Sequence, residues 1–222
     1  MHSVLLTPIH IWQDTPIWSK RSRECSGTPS IGYSSANGVL MRIIAGSARG
    51  RRIKAPDTSR TRPVTDRARE AVFSAIGSWV SEAVVADLYA GSGSFGLEAL
   101  SRGAGSVVFV ENGRKALITL RSNIATVALG GRVIEATVES FLNRCDDRFD
   151  LVFMDPPWDQ DTGIMERDLT TLDRLLLPNA EVVVSRRHTD RIPDVPKTWR
   201  VATDRRYGDT RILRYEKVES AK

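Results

Sequence analysis

The chain has 222 residues, of which 41% are hydrophobic and 27% charged, and its formal net charge is +5. This composition is ordinary for a globular protein, and the length suffices for one α/β domain with a substantial core. It excludes a membrane-spanning protein, because no apolar run approaches the necessary length. The two cysteines and three histidines are too scattered for a metal site, so we expect a cytoplasmic, metal-free protein.

The first 40 residues differ from the rest of the chain. They mix prolines, serines and glycines with isolated tryptophans and show no sustained hydrophobic period. We therefore expect residues 1–40 to be a poorly ordered N-terminal extension. Met41 could be the true start of translation, a hypothesis that the intact mass of the native protein would test.

A basic segment follows at residues 41–64. Two short apolar stretches, Arg42–Ala45 and Arg52–Lys54, flank the glycine-containing run Gly46–Gly50, which predicts a small protruding β-hairpin. Between positions 42 and 69 the sequence holds eight arginines and one lysine but only two acidic residues. Such a hairpin and linker would suit phosphate groups, although a solvated basic face is the alternative.

Residues 65–222 are predicted to form the main domain. A helix after Pro63 and Thr65 has apolar residues at helical spacing, namely Ala68, Val72, Ala75, Ile76 and Trp79. Strands are then predicted at Val84–Tyr89, Val107–Val110, Arg132–Ala136, Phe149–Met154 and Glu181–Ser185. They alternate with helices through Leu97 and Leu100, over Arg114–Leu129, around Phe141 and Leu142, and over Met165–Leu176.

This alternation predicts an α/β fold with a mostly parallel, Rossmann-like sheet covered by helices on both faces. The end of the chain departs from the pattern. Trp199–Thr203 and Ile212–Tyr215, joined through Tyr207–Asp209, are predicted to form an antiparallel pair that ends the sheet.

A glycine-rich loop follows the first strand of the main domain. Gly91, Gly93 and Gly96 have the Gly-x-Gly-x-x-Gly spacing, which permits a tight turn and close approach to a ligand. Asp87 could reach the charged amino-acid part of a cofactor, and Glu111, at the end of the next strand, could accept hydrogen bonds from ribose hydroxyls. The loop indicates an adenosine-type cofactor but leaves nicotinamide and adenosylmethionine open, and a loop required only for packing remains an alternative.

A second motif, the tetrapeptide Asp155-Pro156-Pro157-Trp158, follows an apolar strand. Since strand carboxyl ends line the ligand crevice of an open parallel sheet, Asp155 should face the same cavity as Asp87 and Glu111. The Asp155 carboxylate and the Pro156 carbonyl would hold the two hydrogens of a planar amino group, and Trp158 offers a flat face to a base. A strand that merely ends at a Pro-Pro turn is the alternative.

The chemistry of amino-nitrogen methylation accounts for the tetrapeptide. The lone pair of an aromatic amino group is delocalised into the ring and is a poor nucleophile. Two acceptors on its hydrogens would direct that lone pair at a sulfonium methyl group and would stabilise the positive charge that develops on nitrogen. With the glycine loop, the tetrapeptide therefore predicts an S-adenosylmethionine-dependent N-methyltransferase.

The sequence resembles the class I methyltransferases with a (D/N)PP(Y/F/W) motif, and more closely the RsmD family of bacterial 16S rRNA guanine-N2 methyltransferases. The resemblance extends from Met41 to about Lys217, and its most specific segments are Met41–Gly46, Arg49–Arg52, Arg62–Glu70 and Gly91–Gly103. It implies S-adenosylmethionine as methyl donor. It also implies a guanine of 16S rRNA, in a partly assembled small ribosomal subunit, as the target of a monomeric enzyme.

The resemblance also implies roles for individual residues. The guanine would be held by the catalytic residues Asp155, Pro156, Pro157 and Trp158. The cofactor would be bound by Asp87, Tyr89, Gly91, Ser92, Gly93, Ser94, Gly96, Glu111, Asn112, Thr137 and Val138. RNA would be contacted by Arg49, Arg51, Arg52, Lys54, Arg62, Thr65 and Arg67, although the simplest role of Thr65 is to cap the following helix.

Three other functions stay open from the sequence. A DNA adenine-N6 or protein glutamine methyltransferase uses a similar tetrapeptide, but Asp at position 155 and the lack of a separate DNA-recognition domain argue against it. A nicotinamide-dependent oxidoreductase shares the glycine loop. A non-enzymatic RNA-binding or assembly factor would share the basic segment.

Overall fold

The computed structural model describes residues 40–55 and 65–218, so the predictions for residues 1–39 and for Arg62 lie outside the described residues. A hairpin is formed by β1 (Leu40–Arg42) and β2 (Arg52–Lys54). The sheet strands are β3 (Val84–Leu88), β4 (Ser106–Glu111), β5 (Arg132–Glu135), β6 (Phe149–Met154), β7 (Leu176–Arg187), β8 (Trp199–Tyr207) and β9 (Thr210–Lys217). The helices are α1 (Asp66–Ile76), α2 (Ser94–Ser101), α3 (Arg114–Val127), α4 (Val138–Arg144) and α5 (Thr162–Leu172), with short 3₁₀ turns at Gly77–Val80 and Asp173–Leu175. Within the two described ranges, no helix has the length and apolarity needed to cross a bilayer.

The sheet contains seven strands in the order β5-β4-β3-β6-β7-β9-β8. The strands from β5 to β7 are parallel, whereas β9 runs antiparallel to both β7 and β8. This confirms the predicted mostly parallel sheet with an antiparallel C-terminal pair. The chain builds outward from β3 to one edge and then returns to place β6 on the other side of β3. The carboxyl ends of β3 and β6 therefore flank the point at which strand order reverses, where open α/β sheets bind ligands.

The two faces of the sheet pack against different helices. The front face, marked by Val85, Phe153 and Val183, packs against α1, α2, α3 and the hairpin. The back face, marked by Leu88, Met154 and Val184, packs against α4 and α5. Because both faces are covered, β3 and β6 are almost continuously apolar, which made them predictable from the sequence.

Helix α1 begins as predicted but ends earlier. The Thr65 hydroxyl accepts a hydrogen bond from the Ala68 N–H at 3.2 Å and so caps the helix. Gly77 adopts a φ of +62°, which stops the helix and turns the following residues outward. Two of the apolar residues at helical spacing, Ala75 and Trp79, are exposed. The buried face includes Phe73 instead, whose ring lies 5.4 Å from that of Phe153.

The last strands are longer than predicted. Strand β7 begins at Leu176, where a helix was expected to end, and extends to Arg187. Strands β8 and β9 continue to the turn at Gly208 because their polar residues pair with each other along the whole hairpin. Helix α5 begins three residues earlier than predicted, since the Asp161 side chain accepts hydrogen bonds from the N–H groups of Gly163 and Ile164.

The predicted basic hairpin is present, but it does not protrude. Ile43 and Ile53 are fully buried in the front-face core. The buried carboxylate of Glu98, on α2, accepts hydrogen bonds from the N–H groups of Ile44 at 2.7 Å and Ala45 at 3.0 Å. These contacts fix the loop between β1 and β2 against α2.

Candidate active site

Three acidic residues predicted to share a cavity lie at the carboxyl ends of adjacent strands. Asp87 belongs to β3, Glu111 ends β4, and Asp155 follows β6. Burial raises the pKa of Asp87 well above its ordinary value, and the nearby carboxylates of Asp155 and Glu111 raise it further. Because β4, β3 and β6 are adjacent and parallel, the three carboxylates lie at the same edge of the sheet.

The glycine loop between β3 and α2 depends on close packing at two positions. Gly93 has a φ of +79°, and a Cβ atom there would lie 2.5 Å from the Leu120 side chain. A Cβ atom at Gly96 would lie 2.3 Å from the Phe109 ring. The third glycine of the motif thus allows α2 to approach β4, and the second permits the turn that precedes the helix.

Asp87 holds this loop in place. Its buried carboxylate accepts a hydrogen bond from the Gly96 N–H at 2.9 Å, within the first turn of α2. The contact ties β3 to the helix that follows the loop. Its predicted contact with the amino-acid end of a cofactor would be made in addition to this structural hydrogen bond.

Glu111 joins the glycine loop to the start of α3. Its Oε2 atom accepts from the Gly91 N–H at 2.8 Å, while Oε1 accepts from Asn112 at 3.0 Å and from Gly113 at 2.7 Å. A carboxylate oxygen can accept two hydrogen bonds. Oε2 therefore keeps one acceptor position for a ligand hydroxyl, as the predicted ribose contact requires.

A cavity of about 180 Å³ opens beside Glu111. It brings together five residues predicted to bind the cofactor with others that sequence reasoning missed. The predicted ones are Tyr89, Glu111, Asn112, Thr137 and Val138, and the missed ones include Ala136, Glu139, Gln160, Ile164 and Asp168.

A hydrogen-bonded group of three side chains forms one wall of this cavity. Tyr89, with a φ of +60°, donates its hydroxyl to Asp168 at 2.9 Å and accepts from the Gln160 amide at 2.6 Å. Burial raises the pKa of Asp168. Asp168 could have been found from the sequence, because it is a charged residue between the buried Met165 and Leu169 of α5.

Asp155 is the first residue of the tetrapeptide and supplies its carboxylate. It is half-buried, and burial raises its pKa to about 6, while the nearby Ser185 hydroxyl opposes that rise. Pro156 is buried, which fixes the position of the chain after β6. The ring of Trp158 is half-buried, and the guanidinium carbon of Arg187 lies 4.9 Å from its centroid.

The carboxyl end of β7 supports the tetrapeptide with three consecutive residues. Besides Ser185 and Arg187, the buried Arg186 donates from both terminal nitrogens to the Gln160 carbonyl at 3.2 Å. Arg186 also forms an ion pair with Asp190 at 3.0 Å. Sequence reasoning missed all three residues, although a polar Ser-Arg-Arg run at the end of an apolar strand was a visible signal.

The residues predicted to contact RNA fall into two groups. The side chains of Arg49, Arg52, Lys54 and Arg67 are exposed, and none forms an ion pair with another described residue. Arg51 instead donates from Nη1 to the carbonyls of Thr126 at 3.0 Å and Val127 at 2.6 Å, at the C-terminus of α3. It therefore caps a helix, as Thr65 does at the start of α1.

Comparison with known proteins identifies the family. The family described as "Conserved hypothetical protein 95" matches residues 41–216. Ribosomal RNA small subunit methyltransferase D of Escherichia coli (strain K12) is 33% identical over 180 residues, covering 80% of this chain and 90% of that protein. The chain belongs to the RsmD family. Its Haemophilus influenzae relative, with the same description, is 31% identical over 173 residues, or 76% of this chain and 89% of the relative.

Solved structures agree with this membership. The E. coli protein yhhF superposes with a TM-score of 0.74 at 31% identity, covering 82% of this chain and all of that chain. A hypothetical protein of Thermus thermophilus superposes with a TM-score of 0.69 at 30% identity, covering 81% of this chain and 99% of that chain. The predictions of an RsmD-family methyltransferase and of its fold are confirmed. The roles of individual site residues stay predictions.

Proposed function

We propose that this RsmD-family chain transfers a methyl group from S-adenosylmethionine to the exocyclic N2 of a guanine in 16S rRNA, within an assembled or partly assembled small subunit. The two relatives named above are small-subunit rRNA methyltransferases. The observation that carries the proposal is the position of Asp155. Its half-buried carboxylate begins the Asp-Pro-Pro-Trp tetrapeptide at the strand-order reversal, and its N–H donates to the carbonyl of Leu88, at the end of β3 where the glycine loop begins.

The cofactor site fits the donor. S-adenosylmethionine supplies a methyl group on positively charged sulfur. Glu111 would accept hydrogen bonds from the ribose, while Asn112, Thr137 and Val138 would flank the adenine in the cavity of about 180 Å³. Asp87 and the loop residues Tyr89, Gly91, Ser92, Gly93, Ser94 and Gly96 would surround the amino-acid end.

The acceptor site would act mainly by orientation. With a pKa of about 6, Asp155 is ionised at neutral pH and can accept a hydrogen bond from the guanine amino group. The Pro156 carbonyl would accept the second one, while Pro157 stiffens the turn and Trp158 stacks on the base. These contacts would align the nitrogen lone pair with the methyl carbon and would stabilise positive charge on nitrogen. Asp155 would also receive the proton that the nitrogen releases after transfer.

RNA would be positioned by the basic hairpin and its linker, residues 41–64, beside the methyltransferase domain, residues 65–222. The exposed side chains of Arg49, Arg52, Lys54 and Arg67 would contact phosphates, which fix position but do not select a base. We further propose that the protein acts as a monomer in the cytoplasm, where small subunits are assembled.

The test uses small-subunit particles from a strain that lacks the protein, incubated with labelled S-adenosylmethionine. The wild-type protein and Asp159→Ala, which removes an exposed acid four residues away, should methylate one guanine at N2. Asp155→Ala should abolish methyl transfer and leave particle binding nearly unchanged. Label that enters only DNA, or a wild-type protein that binds S-adenosylhomocysteine yet leaves the particles unlabelled, would refute the proposal.

A further inference from the structure

A second depression, separate from the cofactor cavity, lies on the front face of the antiparallel strands. It has a volume of about 400 Å³ and lies between α1 and strands β7, β9 and β8. Val183 and Ile212 lie on its sheet side, and α1 contributes only small side chains, among them Ala71 and Ser74. We refer to it as the β8 groove.

The β8 groove leads to the tetrapeptide. Because β7 and β8 each pair antiparallel with β9, they run in the same direction, and Arg187, Thr210 and Tyr207 form one row across the sheet. Tyr207 lines the groove, and Arg187, at the other end of that row, lies over the Trp158 ring. The groove therefore opens at the same edge of the sheet as the site where the base would be held.

The charge of the β8 groove is positive. Of its described lining residues, two are arginines and none is acidic. Arg214 forms an ion pair with Glu181 at 3.0 Å, whereas Arg205 has no ion-pair partner among the described residues. Arg67 lies four residues before Ala71 and seven before Ser74, so it is on the same side of α1. Its charge extends the positive surface toward the start of that helix.

Two neighbouring arginines of the β8–β9 hairpin, Arg206 and Arg211, are bound by other groups of the protein. Arg206 donates to the Gly208 carbonyl at 2.8 Å, and Arg211 forms two hydrogen bonds with the Asp204 carboxylate, each at 2.8 Å. Side chains alternate between the two faces of a strand, so Arg206 points away from the face that carries Arg205 and Tyr207. Arg205 thus combines a free charge with a position beside a half-buried aromatic ring.

We propose that the β8 groove binds the RNA segment next to the target guanine, an inference that rests on the proposed function. An enzyme that methylates a base held in a pocket must first separate that base from its neighbours. A neighbouring nucleotide then exposes one base face and its phosphate. Tyr207 would stack on that base and Arg205 would contact the phosphate, a pairing typical of proteins that hold single-stranded nucleic acid.

Adjacent arginines on opposite faces of β8 supply the test. Arg205→Ala and Arg206→Ala remove the same charge from the same strand. We would measure binding of each variant to unmethylated small-subunit particles in the presence of S-adenosylhomocysteine, over a range of salt concentrations. Arg205→Ala should weaken binding roughly three- to tenfold and lower the slope of log K against log salt by about 1. Arg206→Ala should match the wild type. Equal effects of the two substitutions would overturn the proposal.

Tyr207 supplies the second measurement. Tyr207→Phe keeps the ring and should bind like the wild type, whereas Tyr207→Ala should bind more weakly. A photoreactive p-benzoylphenylalanine at this position should crosslink to 16S rRNA close to the methylated guanine. Crosslinking to a ribosomal protein instead would assign the groove to a protein partner and overturn the proposal.

The wild-type protein separates this inference from the proposed function. If the wild type methylates particles at guanine N2 but Arg205→Ala and Arg206→Ala bind them equally, only the groove assignment is wrong. If the wild type does not methylate the particles, the proposed function is wrong. The binding and crosslinking data then stand alone as evidence on whether the groove holds RNA.

Discussion

The carboxylate of Asp155 lies between the buried sheet and the crevice, and its pKa of about 6 results from that position. Burial disfavours the ionised form, while the hydroxyl of Ser185 stabilises it. The carboxylate must be ionised to act as a full hydrogen-bond acceptor. If Asp155 holds the amino group as proposed, the rate of methyl transfer will depend on its protonation state, which burial and the Ser185 hydroxyl set.

We expect kcat/KM for methyl transfer to fall as the pH is lowered through about 6. Ser185→Ala removes a donor that lowers the pKa of Asp155, so the acidic limb of the pH profile should move to higher pH. Ser122→Ala, an exposed serine on α3, should leave the profile unchanged. An unchanged acidic limb in Ser185→Ala would show that Asp155 does not set this limb.

Ionisation of Asp155 should favour activity but lower the stability of the folded protein. Its folded-state pKa lies above the ordinary value near 3.8, so the folded protein binds the proton more tightly than the unfolded chain does. The ionised carboxylate then costs stability that increases as the pH rises from about 4 to 6. Asp155→Asn should slow methyl transfer, because an amide oxygen is a weaker acceptor than a carboxylate, yet raise the free energy of unfolding at neutral pH by about 1–3 kcal/mol, measured by urea denaturation.

At the residue scale, the tetrapeptide could be predicted but its supports could not. Asp155 follows a recognisable apolar strand and has a distinctive neighbourhood in the sequence. Ser185 and Arg187 are about thirty residues away, and only the pairing of Met154 with Val184 brings them beside it. Neighbours across parallel strands leave no local signal, because their register depends on the whole crossover between them.

At the scale of elements, strand centres were predictable and strand ends were not. Apart from one aspartate each, β3 and β6 are apolar because helices cover both of their faces. β7 and β8 continue into polar residues such as Arg186 and Arg205, whose backbone groups pair with β9. The hydrophobic pattern therefore stops before the hydrogen-bonded ladder does.

The hairpin of β1 and β2 offers a comparison between two adjacent arginines. Arg51 caps the carbonyls at the end of α3, whereas the exposed Arg52 forms no ion pair with a described residue. Arg51→Ala should lower the free energy of unfolding by about 1 kcal/mol, because the capping hydrogen bonds are lost. Arg52→Ala should leave unfolding unchanged but weaken particle binding and reduce its salt dependence. The reverse pattern would assign the phosphate contact to Arg51.

At the scale of the whole molecule, ligand binding and folding share the same contacts. Glu111 connects the glycine loop to α3 and also faces the cavity where the ribose would bind. A ligand that binds only the folded protein stabilises it in proportion to the logarithm of its concentration. The cofactor assignment can therefore be tested by thermal unfolding.

S-adenosylhomocysteine at about one hundred times its Kd should stabilise the protein by roughly 2.7 kcal/mol, seen as a rise in Tm. NAD at the same concentration should cause no rise. Glu111→Ala should lose most of the increase that S-adenosylhomocysteine produces. Glu135→Ala, which removes an exposed acid paired with Arg121, should retain it. A rise in Tm with NAD alone would overturn the cofactor assignment.

The packing of the hairpin has an evolutionary consequence. Ile43 and Ile53 belong to the same core that supports α2, and Glu98 fixes the loop between the two strands. Exchanging this segment with that of a distant homologue would replace part of the interior as well as the basic surface. Single substitutions at exposed positions such as Arg49 and Arg52 would therefore change the basic surface alone, whereas substitutions at the inward-facing Ile43 and Ile53 would require compensating changes in the core beneath them.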